Sequence, residues 1–292
     1  MIHHEGTLYR PPSEAQSLIL QATLGCSYNL CTFCAMYREK SFRVRRLEDL
    51  KGEIAWAKKN LGTVRKVFLA DGDALVAKAR FLESLLDELN AAFPELRRVS
   101  VYASPQSLAL RTVEEMRQLA AKGLTLYYLG IESGDDQVLA DLEKGVDAAE
   151  MVRVANKAHE AGVKLSTMIL LGAGGREASL RHARHSADVV NAIGPRFIST
   201  LVMTPVEGTP LWDKQQAGGV DELSPVELAC ELREFLDRLR VKGSVFRSNH
   251  ASNYLALKGN LPKDQEALVG YLERVIARPG EAHFAPEWIR GL

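Results

Sequence analysis

From Leu18 to Met203, short apolar runs alternate with longer stretches whose apolar positions recur at helical spacing. The runs Leu18–Thr23, Val64–Ala70, Arg98–Ala103, Leu124–Ile131, Val163–Leu170 and Phe197–Met203 predict six strands. Helices are expected between them, at about 47–59 and 79–93, after Thr112, after Asp147, and over 177–193. Two of these starts carry a capping box, Thr112-x-x-Glu115 and Asp147-x-x-Glu150, and Gly123 and Gly162 supply the stops. Several strands are near-continuously apolar, as when a parallel sheet is covered on both faces. Such right-handed β/α repetition gives a barrel or part of one, whose chemistry collects at the carboxyl ends of the strands.

The flanks read differently. Tyr9-Arg10-Pro11-Pro12-Ser13-Glu14 predicts a stiff, extended lead-in, because two prolines fix φ and remove two donors. Beyond Leu211, Ser224-Pro225-Val226-Glu227 is a strong helix start, with the helix expected to about Val241. A short strand at 244–247 and a last helix at about 263–277 follow. The expected organisation is therefore a lead-in over 1–16, a barrel over 17–211 and a carboxyl-terminal α/β extension over 212–292.

Composition adds limits. At 292 residues the chain suits one barrel-sized domain with an appendage. Lys plus Arg equals Asp plus Glu at 37 each, so no overall field favours nucleic acid or an anionic membrane. The amino end has no signal-peptide pattern and no apolar run reaches spanning length, so a cytoplasmic location is expected.

Three of the four cysteines fall within nine residues, Cys26-Ser27-Tyr28-Asn29-Leu30-Cys31-Thr32-Phe33-Cys34, just after the first apolar run. Thiolates suit zinc or iron–sulfur clusters, but a closed zinc site needs four ligands and a ferredoxin-type cluster four cysteines. The fourth, Cys230, lies far off in an amphipathic stretch and reads as a buried small hydrophobe. Three thiolates on a four-iron cube leave one iron open to a reactant. A zinc knuckle short of one ligand and a chance grouping are the other readings of these residues alone.

This stretch resembles the cysteine loop of the radical S-adenosylmethionine (radical SAM) superfamily, whose usual pattern is CX3CX2C with an aromatic residue before the last cysteine. The final pair and its aromatic are kept in Cys31-Thr32-Phe33-Cys34, while the first gap is one residue longer, CX4CX2C. Asp71-Gly72-Asp73 follows the second strand where the family carries a Gly-Gly-Glu-like turn that binds the methionine ammonium of SAM. Gly130-Ile131-Glu132-Ser133-Gly134, continuing through Leu139 to Lys144-Gly145, resembles the family's GIESG stretch, which implies that Glu132 and Ser133 face the ribose and carboxylate of SAM. Ile169 and Gly172 at the end of the fifth strand, and Met203 at the end of the sixth, match regions near the adenine. The resemblance spans Ser17 to Leu211.

The resemblance implies a partial (β/α)6 TIM barrel of radical SAM type. Cys26, Cys31 and Cys34 would hold a [4Fe–4S] cluster, and Phe33, Asp71, Gly72, Asp73, Glu132, Ser133, Ile169, Gly172 and Met203 would lie against cluster or SAM. No residue is assigned a catalytic role. The expected partners are a small organic substrate and a one-electron donor such as flavodoxin or ferredoxin, in a reducing, anaerobic setting. Asn249, His250, Asn253 and Tyr254 form a polar stretch outside the resemblance and are candidates to face the substrate. Arg38, Lys40, Arg43, Arg45 and Arg46 belong to a solvated loop or to a segment that shields the cluster or contacts an anionic group. His182 and His185, three apart, are expected on a helix surface. A cluster-binding relative acting as a cofactor chaperone of the haem-carrying kind or as an electron-transfer protein, and a zinc scaffold, remain the alternatives.

Overall fold

The structure, a computed structural model, describes residues 1–291. In chain order come β1 (Leu18–Gln21), β2 (Thr23–Leu24), β3 (Arg43–Val44), α1 (Leu47–Asn60), β4 (Lys66–Ala70), α2 (Ala79–Ala92), β5 (Arg98–Ala103), α3 (Pro105–Leu110), α4 (Val113–Ala121) and β6 (Leu124–Glu132). They are followed by α5 (Asp136–Asp141), α6 (Ala148–Glu160), β7 (Lys164–Leu171), α7 (Gly175–Ile193), β8 (Phe197–Val202), α8 (Pro210–Gln216), α9 (Pro225–Arg238), β9 (Ser244–Ser248), β10 (Leu257–Leu261) and α10 (Gln265–Ala277). The eight strands β1-β4-β5-β6-β7-β8-β9-β10 form one sheet in that order, and β2 pairs with β3 apart from it. The pairs β1–β4, β4–β5, β5–β6, β7–β8 and β8–β9 are parallel; β9–β10 is antiparallel.

The six expected strands are present, with one instructive difference. The first run ends at Gln21, and Thr23–Leu24 turns aside to pair with Arg43–Val44. The ends of the cysteine loop are thereby tied in register, Thr23 opposite Val44 and Leu24 opposite Arg43. The expected strand at 244–247 does extend the sheet, as β9 beside β8. Strand β10 escaped the sequence reading because Leu257-Lys258-Gly259-Asn260-Leu261 is short and holds the strand-averse residues Gly259 and Asn260. The lead-in is also corrected: Pro12–Glu14 is a 3-10 turn, with proline supplying the first helical φ, rather than extended chain.

The chain divides into two compact units. Residues 1–29, 36–129 and 154–165 form the first; residues 30–35, 130–153 and from 166 onward form the second. In the first unit, Leu82, Leu85, Leu86 and Leu89 of α2 recur at helical spacing and are fully buried, as are Val67, Phe68, Leu69, Val99 and Val101 of the strands. Its one buried acid on the lead-in, Glu14, accepts from Tyr128 Oη at 2.5 Å and pairs with Arg98 at 2.6 Å. In the second unit, Leu228, Leu232, Phe235 and Leu236 make the buried stripe of α9, which opens with the expected capping box of Ser224 and Glu227. The Thr112–Glu115 box is likewise formed.

Candidate functional site

In the first unit, the tip of β4 is stitched to the cysteine loop by backbone and buried charge. Gly72 N donates to Gly25 O at 3.1 Å, and Gly25 N donates to Asp71 Oδ2 at 3.1 Å. Asp71 is fully buried; Lys40 Nζ lies 3.0 Å from it and Gln21 Nε2 3.2 Å. The carboxylate therefore holds both limbs of the loop that carries Cys26. A Cβ on Gly72 would stand 2.7 Å from Tyr37 ring carbons and 2.9 Å from Cys26 Cβ, so a side chain there would push one of them aside. Asp73 is buried as well and accepts from Ser27 Oγ at 2.6 Å and Ser104 Oγ at 2.7 Å. Burial raises its pKa, against the lowering effect of these serine hydrogen bonds.

In the second unit, Cys31 and Cys34 sit on one turn, with Cys34 N donating to Cys31 O at 3.3 Å. Thr32 between them is anchored on both sides: its N–H donates to Leu142 O at 3.0 Å and its carbonyl accepts from Leu211 N at 3.0 Å. Lys144 is buried nearby, its Nζ 2.9 Å from Glu132 Oε1. Burial alone would lower its pKa, but the Glu132 carboxylate and the Cys31 and Cys34 sulfurs raise it above the ordinary lysine value. Glu132 ends β6 with φ +66°, a conformation costing a non-glycine residue roughly 1–3 kcal/mol. Gly130 makes room for it, since a Cβ there would meet Glu132 Oε1 at 1.9 Å.

His182 corrects the expectation of a surface histidine. It is fully buried, with Nδ1 2.7 Å from Ser133 Oγ and Nε2 3.0 Å from Leu170 O, because its face of α7 packs inward. Burial holds its pKa down at about 4, so the ring is neutral. Behind it lies Glu231 of α9, also fully buried, accepting from Gly172 N at 2.7 Å and Ser179 Oγ at 2.5 Å. Burial pushes its pKa up to about 7. Ser133 and the backbone at Leu170 and Gly172 are thus held by one polar network at the ends of β6 and β7. His185, by contrast, is half exposed and 3.2 Å from Asp135.

A cavity of about 700 Å³ opens in this unit, and Thr32, Gly172, Met203 and Tyr254 line it. Ile169 is buried in β7. Of the polar stretch after β9, Tyr254 reaches the cavity. Asn253 is turned inward, its Nδ2 2.8 Å from Thr200 O; His250 Nδ1 accepts from Ser252 N at 3.1 Å; and Asn249 is exposed. Cys230 is half-buried on α9, its thiol raised by burial. Sequence reasoning gave no role to Lys144, Glu231 or Arg290. For Glu231 a signal existed, an acid on the apolar stripe of Leu228, Leu232 and Phe235; for Arg290 there was none.

Among the described residues, no three His, Cys, Asp or Glu side chains gather round one point as single-ion ligands do. Thiolates are the donors an iron–sulfur cluster takes, and Cys31 and Cys34 have that chemistry. Cys31 and Cys34 are half-buried on a pinned turn beside a buried ammonium, and a neighbouring cation favours the thiolate form.

The family model of the radical SAM superfamily matches residues 20–185. A protein of Methanocaldococcus jannaschii described as uncharacterized is 21% identical over 226 residues, 73% of this chain and 69% of its own length. Methylornithine synthase is similar in structure with TM-score 0.55 and 16% identity, over 89% of this chain and 81% of that one. Coproporphyrinogen III oxidase from Escherichia coli, described as a radical SAM enzyme, gives TM-score 0.59 and 17% identity over 76% and 52%. At such identities the likeness is one of fold: α/β, a mostly parallel sheet of the partial TIM barrel class.

Proposed function

Since the chain belongs to the radical SAM superfamily, whose members bind a [4Fe–4S] cluster and SAM, we propose that it is a radical SAM enzyme acting on a small organic substrate. Cys26, Cys31 and Cys34 are the thiolates that would hold the cluster. When bound and reduced by one electron, cluster and SAM together supply cleavage of the C5′–S bond, yielding methionine and a 5′-deoxyadenosyl radical able to take hydrogen from a substrate. The chain's own residues bind, orient and shield. Lys144 favours ionised Cys31 and Cys34 while Thr32 pins their turn. Gly72 keeps space beside Cys26, and Asp71 with Lys40 ties the loop limbs. Glu231 fixes the Gly172 amide at the cavity, where Gly172 and Met203 are the proposed neighbours of adenine.

The observation that carries this reading is the Cys31–Cys34 turn, whose Thr32 lines the same cavity as Gly172 and Met203. In this reading 17–211 is the catalytic barrel and 212–292 the extension that helps enclose substrate. A cytosolic, oxygen-poor setting and a flavodoxin- or ferredoxin-like electron donor go with it.

The test is anaerobic reconstitution with iron and sulfide, then dithionite and SAM, with chromatographic detection of 5′-deoxyadenosine. Cluster absorbance and 5′-deoxyadenosine are expected from the wild type and from Cys230→Ala, and cluster absorbance should be lost in Cys26→Ala, Cys31→Ala and Cys34→Ala. A cluster without 5′-deoxyadenosine would turn the reading toward a cofactor chaperone. Bound zinc with no cluster absorbance would end it.

A further inference from the structure

The cavity of the second unit has a wall made by the end of the chain. Ala285 N donates to Tyr254 O at 2.9 Å and Gly291 N to Ala251 O at 3.3 Å, so the last segment is strapped to the polar stretch after β9. Tyr254, Glu287 and Arg290 all line the cavity. Arg290 is nearly buried and rigidly set: its guanidinium stacks 3.8 Å from the Tyr254 ring centroid, and Nε donates to Ser252 O at 2.9 Å. Its Nη1 donates to Tyr254 Oη and, at 2.6 Å, to Glu287 Oε2. Tyr254 Oη in turn donates to Glu287 Oε1. Phenol and guanidinium thus grip the two oxygens of one carboxylate.

That carboxylate is the replaceable member. The Glu287 side chain is 72% exposed, on a 3-10 turn, against 11% for Arg290. The other arginine of the cavity, Arg176, is half exposed and shared between two carboxylates, Asp221 and Glu227, and the Glu222 carbonyl, whereas Arg290 is nearly buried and faces one. Burial, and then the Glu287 carboxylate, push Tyr254 up to about 12, so it remains a donor at neutral pH. The same cavity is lined by the apolar Val202, Pro205, Trp212 and Leu228, alongside the acids Asp141, Glu177, Asp221 and Glu222.

We propose that Tyr254 and Arg290 form a receptor for the carboxylate of an organic acid with an apolar body, and that Glu287 fills this receptor until such an acid displaces it. The inference rests on the reading of this cavity as the substrate chamber, and it names the substrate class. A planar carboxylate matches the arginine fork and the tyrosine hydroxyl as Glu287 does, and a neutral amide cannot replace its charge.

The test uses the 292-residue chain without iron, sulfide or SAM, so that it does not depend on cluster chemistry. Phenylacetate is titrated calorimetrically, with phenylacetamide and inorganic phosphate as matched probes. Glu287→Ala, freed of its internal competitor, should bind phenylacetate roughly tenfold more tightly than the wild type, since a charge-assisted contact is worth about that factor or more. Phenylacetamide and phosphate should bind weakly to both. Adding Arg290→Gln should remove the gain. Because Arg290→Gln can loosen the terminal segment, Tyr254→Phe in the Glu287→Ala background serves as second variant: it keeps the ring and loses the hydroxyl, and should weaken phenylacetate severalfold. Equal binding of acid and amide, preference for phosphate, or no binding by Glu287→Ala would overturn the proposal. If these dependences hold while 5′-deoxyadenosine never forms, the carboxylate receptor stands and the proposed reaction falls; the reverse result separates them the other way.

Discussion

At the scale of single residues, the site is shaped by where a side chain has no room. Gly72 faces Tyr37 and Cys26 so closely that an added methyl has to move one of them. Gly72→Ala should cost about 1–3 kcal/mol, as overpacking does, and should lower the iron bound after reconstitution because it displaces Cys26. Gly52 gives the contrast: it lies in the middle of α1 with nothing within 4 Å of a built Cβ. Gly52→Ala should stabilise by about 0.5–1 kcal/mol with iron content unchanged. Denaturant unfolding and iron-to-protein ratios of the two variants check both statements, and a Gly72→Ala protein that matches Gly52→Ala would refute the packing argument.

At the scale of elements, α9 matters to the site although it begins far beyond the cysteine loop in sequence. It delivers Glu231 to the Gly172 amide at the end of β7. Its own start depends on Ser224, whose hydroxyl accepts from Glu227 N while Glu227 reaches back to Ser224 N at 2.8 Å. Ser224→Ala should cost about 1 kcal/mol and speed amide exchange in the first turn of α9. Exchange at Gly172 should rise with it, since the acceptor of that amide rides on the same helix. Faster exchange in the helix with Gly172 unaffected would show that the β7 tip is held by other means.

At the scale of the whole molecule, two buried groups set opposing pH dependences. Glu231 has its folded pKa raised to about 7 by burial, so its contribution to stability is present below its ordinary value and is lost as pH rises through 7. His182 has its folded pKa lowered to about 4 by burial, so its contribution is present above its ordinary value and is lost as pH falls toward 4. The two partly cancel in the wild type. Glu231→Gln keeps the acceptor and removes the charge, so its stability relative to the wild type should rise by about 2 kcal/mol between roughly pH 5.5 and 8.5. Urea unfolding at the two pH values measures it, and a constant difference between variant and wild type would mean that Glu231 does not titrate there.

The local signals in the chain determined much of this molecule. Apolar runs and helical spacing specified the six β/α strands, because burial on two faces demands them, and Thr112 and Ser224 marked helix starts, because open amides need acceptors. The cysteine spacing and the Gly130–Gly134 stretch carried the family. Pairings between distant residues were not written locally. The spacing placed Asp71 and Asp73 at a turn after the second strand, but did not show their engagement with Lys40 and with Ser27 and Ser104. His182 is buried because α7 turns that face inward against Ser133 and Leu170, and Arg290 meets Tyr254 because the chain end folds back on the stretch after β9. Periodicity reports how a residue faces its own element. Which charge or hydroxyl waits across the gap is decided by packing, and that required the tertiary structure.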